Sequence, residues 1–270
     1  MNRGILSFIS ENTKYENSFS EELFEELFSL ENDNYWFRSR NRIITWALAT
    51  YFQDKEKFLE IGCGTGFVLS GIRDAFPELL LYGSEIFYEG LSFASQRLQN
   101  ITLYQIDAHQ IPFENEFDVV GAFDVLEHIE DDGAVLRQMY QATNPGGGII
   151  LTVPQHRFLW SAVDGLAFHK RRYSRSDLQG KVEAAGFETV RVTSFVSLLL
   201  PFMLLSRVKR NFMRTQFNKY NPKAEYEIGP LLKMILENIL TLERIAIKAG
   251  ISFPAGGSLL LIAKKMRNDP

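Results

Sequence analysis

The stretch Phe58-Leu59-Glu60-Ile61-Gly62-Cys63-Gly64-Thr65-Gly66 runs an apolar strand into closely spaced glycines and then into a segment of helical periodicity. Glycines permit a tight strand-to-helix turn and let a nucleotide-like ligand approach the backbone where a Cβ would collide. Glu85, nineteen residues after Gly66, ends the next apolar run, where a carboxylate can accept both hydroxyls of a ribose. Dinucleotide sites favour G-x-G-x-x-G, which leaves a helix N-terminus free to hold a pyrophosphate. Here the third glycine comes one residue early, which suits a ligand without a phosphate.

A second set of reactive side chains lies further along. Asp124, Glu127 and His128 follow one apolar run, and His169, Arg171, Arg172 and Tyr173 follow another. An imidazole titrates near neutrality and can take a hydroxyl proton, so His128 and His169, with Arg172 and Tyr173, are the candidate catalytic residues. The competing reading makes His128 a cap or packing residue and the later cluster a solvated loop. Carboxylates and an imidazole in the D-x-x-E-H spacing can bind a metal. They equally describe a solvated helix start, and no metal is expected.

These residues need a frame. From residue 57 onward, apolar runs bounded by turn residues alternate with helix-period segments, the pattern of βαβ units and a parallel sheet. Strands are predicted near Lys57 to Ile61, Leu79 to Ser84, Ile101 to Ile106, Val119 to Phe123, Gly148 to Val153, Glu188 to Thr193 and Ser258 to Lys264. Helices fall near Phe67 to Phe76, Gly90 to Leu98 and Asp132 to Thr143, and Ser174 with Asp177 reads as the capped start of another. Two more helices precede residue 57, with Tyr35-Trp36-Phe37 and Arg38, Arg40 and Arg42 on the second. About sixty residues, 194–257, separate two strands that a hairpin would suffice to join, so a mostly helical insertion is expected there.

The order of motifs resembles class I S-adenosylmethionine-dependent methyltransferases of the small-molecule, type 11/12-like kind. Glu60 to Gly66 looks like their motif I. Asp107-Ala108, Asp118-Val119-Val120, Leu126-Glu127-His128-Ile129 and Asn144-Pro145-Gly146-Gly147 resemble the motifs that follow, and Phe168 to Tyr173 is similar to an F-H-x-R-R-Y segment. The resemblance implies an α/β fold: a Rossmann-like, doubly wound sheet of seven strands with an antiparallel last strand. It implies S-adenosylmethionine as cofactor and S-adenosylhomocysteine as product. Glu60, Gly62, Cys63, Gly64 and Gly66 would hold the methionine part, Glu85 the ribose, and Ile86 the adenine face. Asp107 would bond the exocyclic amine and Ala108 offer an amide, with Phe123 and Asp124 completing the cofactor set. The D-x-x-E-H spacing is similar to the E-x-x-E-H of ubiquinone-pathway O-methyltransferases, which is associated with a divalent cation.

The expected organisation is an N-terminal helical cap (1–56), the cofactor-binding core (57–193), the insertion or lid (194–257) and the last strand with its tail (258–270). A formal charge of -4 gives no global attraction to nucleic acid. One cysteine, Cys63, allows no intrachain disulfide and fits a cytoplasmic location. The apolar stretch Gly4 to Ile9 is followed by polar residues without a cleavage-like site, so no signal peptide is expected. The apolar run Leu198 to Leu205 is too short to span a bilayer. It is read as a lid; lying open, it would instead make a peripheral membrane contact through 195–214, where Arg207, Lys209, Arg210 and Arg214 follow it. The acceptor is expected to be a small molecule, apolar or lipid-linked. The rival readings are a cofactor-binding partner protein without catalysis and a nicotinamide-dependent dehydrogenase.

Overall fold

The computed structural model describes residues 5–9, 21–205 and 229–267. Its elements in chain order are β1 (Ile5–Ser7), α1 (Glu21–Leu30), α2 (Tyr35–Tyr51), β2 (Lys57–Ile61), α3 (Phe67–Ala75), β3 (Leu80–Glu85), α4 (Tyr88–Arg97), β4 (Thr102–Gln105) and β5 (Phe117–Phe123). They continue with α5 (Asp132–Ala142), β6 (Thr143–Pro154), α6 (Ala162–Leu166), α7 (Arg175–Ala184), β7 (Glu188–Phe195), α8 (Pro230–Lys248) and β8 (Ser258–Lys264). Local chemistry starts several of these. Asn34 accepts from the Trp36 and Phe37 amides to cap α2, and Ser174 accepts from the Asp177 amide to cap α7.

The strands form one sheet in the order β1-β4-β3-β2-β5-β6-β8-β7. β8 runs antiparallel to both β6 and β7, as expected, and all other pairings are parallel. The sheet has eight strands rather than seven. The extra strand comes from the short apolar stretch near the N-terminus: Ile5, Leu6 and Ser7 pair with Leu103, Tyr104 and Gln105, giving the backbone groups on the open side of β4 a partner.

Helices cover both faces, so the central strands are near-continuous apolar runs. Ile44, Leu48, Leu69, Ile72, Leu91, Leu240 and Ile247 pack on one face, from α2, α3, α4 and α8. Val135, Leu136, Met139, Leu178 and Val182 pack on the other, from α5 and α7. The chain reverses its direction of growth between β2 and β5, and crevices in open α/β sheets form beyond the strand C-termini at such a point. Of the insertion, residues 200–205 and α8 are helical. The basic residues Arg207 to Arg214 lie outside the described residues, and no described helix is long and apolar enough to cross a membrane.

Candidate active site

A cleft of about 1250 Å³ opens over the C-terminal ends of β2, β3, β5 and β6. Single small-molecule sites run to roughly 1,000 Å³, so it has room for a cofactor and an acceptor together. The glycine loop forms one end. Gly62, Gly64 and Gly66 all have positive φ (67°, 50° and 75°), the region that side chains other than glycine rarely enter. Their uses differ. A Cβ on Gly64 would meet nothing closer than Phe24 Cε1 at 4.0 Å, so this position leaves open space on the cleft wall. A Cβ on Gly62 would strike Val125, and one on Gly66 would press on Leu98 and Ala94. Gly66 is therefore set back against α4 rather than facing a ligand. Cys63 likewise turns its side chain into the core, with Sγ against Gly83, and burial pushes its thiol pKa up.

Glu85 ends β3 in the cleft wall. Its carboxylate accepts from the amides of Gly64 (3.0 Å), Ile86 (2.8 Å) and Phe87 (3.2 Å). Burial raises its pKa and these three donors oppose the rise. Ile86, Asp107, Ala108 and Phe123 line the same space, and Asp107 Oδ1 is shared by the amide and ring of His109. Glu60 is buried beneath the loop with Oε2 unpaired among the described residues. Burial pushes its carboxyl pKa well above the usual glutamate range, against the pull of Arg40.

The N-terminal helices close one side. Glu31, at the end of the α1 segment, accepts from Thr65 Oγ1 (2.5 Å) and Arg97 Nη1 (2.7 Å), tying the cap to the glycine loop and to α4. Arg40 of α2 reaches across to Asp124 at the end of β5 and stacks beside Trp36 and Phe37. Asp124 thus answers an arginine 84 residues away, together with the Thr152 hydroxyl. Sequence reasoning gives Glu31, Thr65 and Arg97 no site role, and singles out Arg40 only as part of the Arg38-Arg40-Arg42 run.

The other end is built from the turn after β5 and the segment after β6. His128 and His169 meet edge to face, ring centroids 4.8 Å apart. Burial and the neighbouring His169 lower the His128 pKa to about 4, leaving it neutral. His169 Nδ1 lies 3.0 Å from Asp164 Oδ1, and Nε2 lies 3.9 Å from Glu127 Oε1. Arg172 grips both Asp164 oxygens (Nε 2.6 Å, Nη2 3.1 Å) and also donates to the Gln155 carbonyl. Glu127 is fully buried, neither carboxyl oxygen has a hydrogen-bond partner among the described residues, and burial raises its pKa well above the glutamate range. Of the D-x-x-E-H spacing, Asp124 is paired with Arg40, and the group whose ligand atoms lie beside those of Glu127 and His128 is His169.

Tyr173, a candidate catalytic residue by sequence, does not line the cleft. It is fully buried in the core, and its hydroxyl donates to Asp132 Oδ2 at 2.6 Å, on the far side of the segment from the cleft. Consecutive extended residues point to opposite faces. Arg172 lines the cleft and Tyr173, next in the chain, packs inward. The insertion also contributes. Glu243 of α8 accepts from the amides of Ser197 (2.6 Å) and Leu198 (2.8 Å), and the turn so fixed places Val196, Leu199 and Met203 along the cleft. Val196, Asp124 and Phe168 all have positive φ. For a β-branched residue that conformation is strained, and such outliers gather at functional sites.

Comparison with known proteins agrees with this geometry. A family model described as "Methyltransferase domain" matches residues 30–192, and the chain belongs to that family, the S-adenosylmethionine-dependent class I methyltransferases. A Mycolicibacterium smegmatis protein named "Probable S-adenosylmethionine-dependent methyltransferase" is 26% identical over 162 residues, 59% of this chain and 62% of that protein. The "Ubiquinone biosynthesis O-methyltransferase" of Idiomarina loihiensis is 25% identical over 178 residues, 56% of this chain and 69% of that protein. Among solved structures, an S-adenosylmethionine-dependent methyltransferase from Thermotoga maritima superposes with a TM-score of 0.58, covering 90% of this chain and 95% of that one. It shares 16% identity, so that likeness is one of fold. The cofactor of the family is S-adenosylmethionine. The cleft fits it: open space at Gly64, a buried carboxylate at Glu85 beside it and, at Glu60, a buried acid with one oxygen unpartnered among the described residues.

Proposed function

We propose that this protein transfers a methyl group from S-adenosylmethionine to a small-molecule acceptor. The observation that carries the reading is the pairing of Glu85 with Gly64, which sets a carboxylate beside the loop position that leaves room for a ligand. Glu60 and the backbone of residues 62–64 would hold the methionine part, Glu85 the ribose, and Ile86, Asp107 and Ala108 the adenine. Bound there, the sulfonium supplies an activated methyl group. The chain supplies alignment and exclusion of water, which lower the barrier to transfer.

His128, His169 and Arg172 would face the acceptor. The insertion would give that end its apolar character through Val196, Leu199 and Met203, and the name of the Idiomarina relative, an O-methyltransferase, supports a small organic acceptor. Calorimetric titration with S-adenosylhomocysteine and with NAD tests the reading. Binding of the first and none of the second is expected; no binding of S-adenosylhomocysteine would sink it.

A further inference from the structure

We propose that the Asp164–His169 pair is the proton-accepting end of the cleft and that it serves a neutral hydroxyl compound. This rests on the methyl-transfer reading and adds to it the base and the acceptor class.

Asp164 is buried and held from every side: by both Arg172 contacts, by the Ser161 amide (2.7 Å) and hydroxyl (3.0 Å), and by His169 Nδ1. An ionised carboxylate only accepts hydrogen bonds, so the proton of a neutral His169 ring sits on Nδ1 and Nε2 keeps its lone pair. The carboxylate is firmly ionised, because these donors drive its pKa down against its burial. Nε2 is 3.9 Å from Glu127 Oε1, beyond hydrogen-bond reach, and His169 lines the cleft. The result is an oriented imidazole with a basic nitrogen and a buried counter-charge behind it, the arrangement that general-base catalysis needs.

Around His169, Asp164 is balanced by Arg172 and Asp124 by Arg40. Lys170 pairs with Glu130, and Arg171 with Asp132. Burial favours the neutral form of Glu127, and His128 is neutral above about pH 4. Val163, Ala167, Phe168, Leu199 and Met203 supply apolar wall. An ammonium or phosphate group placed here would find each opposite charge already answered, and desolvating it would cost more than the site returns. A neutral hydroxyl meets no such penalty. Its oxygen bonds to the methyl carbon as the carbon–sulfur bond breaks and its electron pair stays on sulfur. The hydroxyl proton passes to His169 Nε2, and Asp164 stabilises the imidazolium.

The probe is 4-nitrophenol, whose ionised form absorbs visible light, added to protein saturated with S-adenosylhomocysteine. Wild type should show the phenolate band at a pH where the free phenol is mostly protonated. His169→Gln should lose that band with unchanged S-adenosylhomocysteine affinity, and methyl transfer to the same phenol should fall about a hundredfold. Asp164→Asn, acting through His169, should shift the appearance of the band to higher pH, since the imidazole loses its counter-charge. An identical band in His169→Gln, or no nitrophenol binding by saturated wild type, overturns the proposal. So does a stoichiometric divalent metal that disappears with His169, Nε2 then being a ligand. Failure to bind S-adenosylhomocysteine would instead defeat the transfer reading itself.

Discussion

Thr65 donates its hydroxyl to the Glu31 carboxylate at 2.5 Å, so a residue of the glycine loop itself fastens the N-terminal cap. Arg97 completes the contact, with both charged side chains under 10% exposed.

Removing one member of a buried pair leaves the other charge uncompensated. Glu31→Ala is expected to cost about 3 kcal/mol of stability, whereas Glu31→Leu with Arg97→Met should cost clearly less than the two single changes added together. Denaturant titration of the four proteins in the cycle measures this. Strict additivity would show that the pair is not coupled.

Glu85→Ala should weaken S-adenosylhomocysteine binding by roughly 1.5 to 3 kcal/mol, about tenfold or more, because a charge-assisted bond to ribose is lost. Gly64→Val should abolish binding, its side chain entering the open space and straining a residue at φ 50°. Unchanged calorimetric affinity in either variant would place the cofactor elsewhere.

Glu127 makes a pH prediction with a definite sign. Its pKa is raised in the folded state, so between the ordinary glutamate range and that raised value the folded protein binds more protons than the unfolded chain. Stability contributed by Glu127 therefore falls as pH rises through that window. Glu127→Gln should be more stable than wild type at about pH 8, with the gap closing near about pH 5. A gap that widens on acidification would mean the carboxyl is ionised and paired in the native state.

Tyr173→Phe removes the hydroxyl that donates to Asp132, which keeps Lys181 (2.7 Å) and Arg171 (3.0 Å). A loss of about 1 kcal/mol is expected, with cofactor affinity intact. Thermal denaturation and calorimetry on the same sample separate the two quantities. Loss of affinity at full stability would return Tyr173 to the cleft.

The parts legible in the sequence are those set by neighbours in the chain. The glycine turn, the alternation of strands and helices, and the cap at Ser174 depend on residues a few positions apart, and each stands where periodicity and turn chemistry put it. Arg40 with Asp124, Glu31 with Thr65 and Glu243 with Ser197 join positions 34 to 84 apart, and only the fold pairs them. The polar run His169 to Tyr173 shows a middle case. Its composition marks a site, but the direction of each side chain alternates, so Arg172 and Tyr173 part company. β1 was illegible because three residues carry no periodicity, and their strand character comes from the open edge of β4.

The bonds from Glu31 to Thr65 and from Arg40 to Asp124 also set a clock. They hold α1 and α2 against the cleft that the proposed function fills with cofactor, so exchange of cofactor past these helices would have to break both contacts. Where a cap has to open, that step rather than the chemistry commonly limits turnover. The first turnover after mixing would then run ahead of the later ones, and loosening the cap at Glu31 would shorten the wait between cycles even as it lowers the residence time of the cofactor.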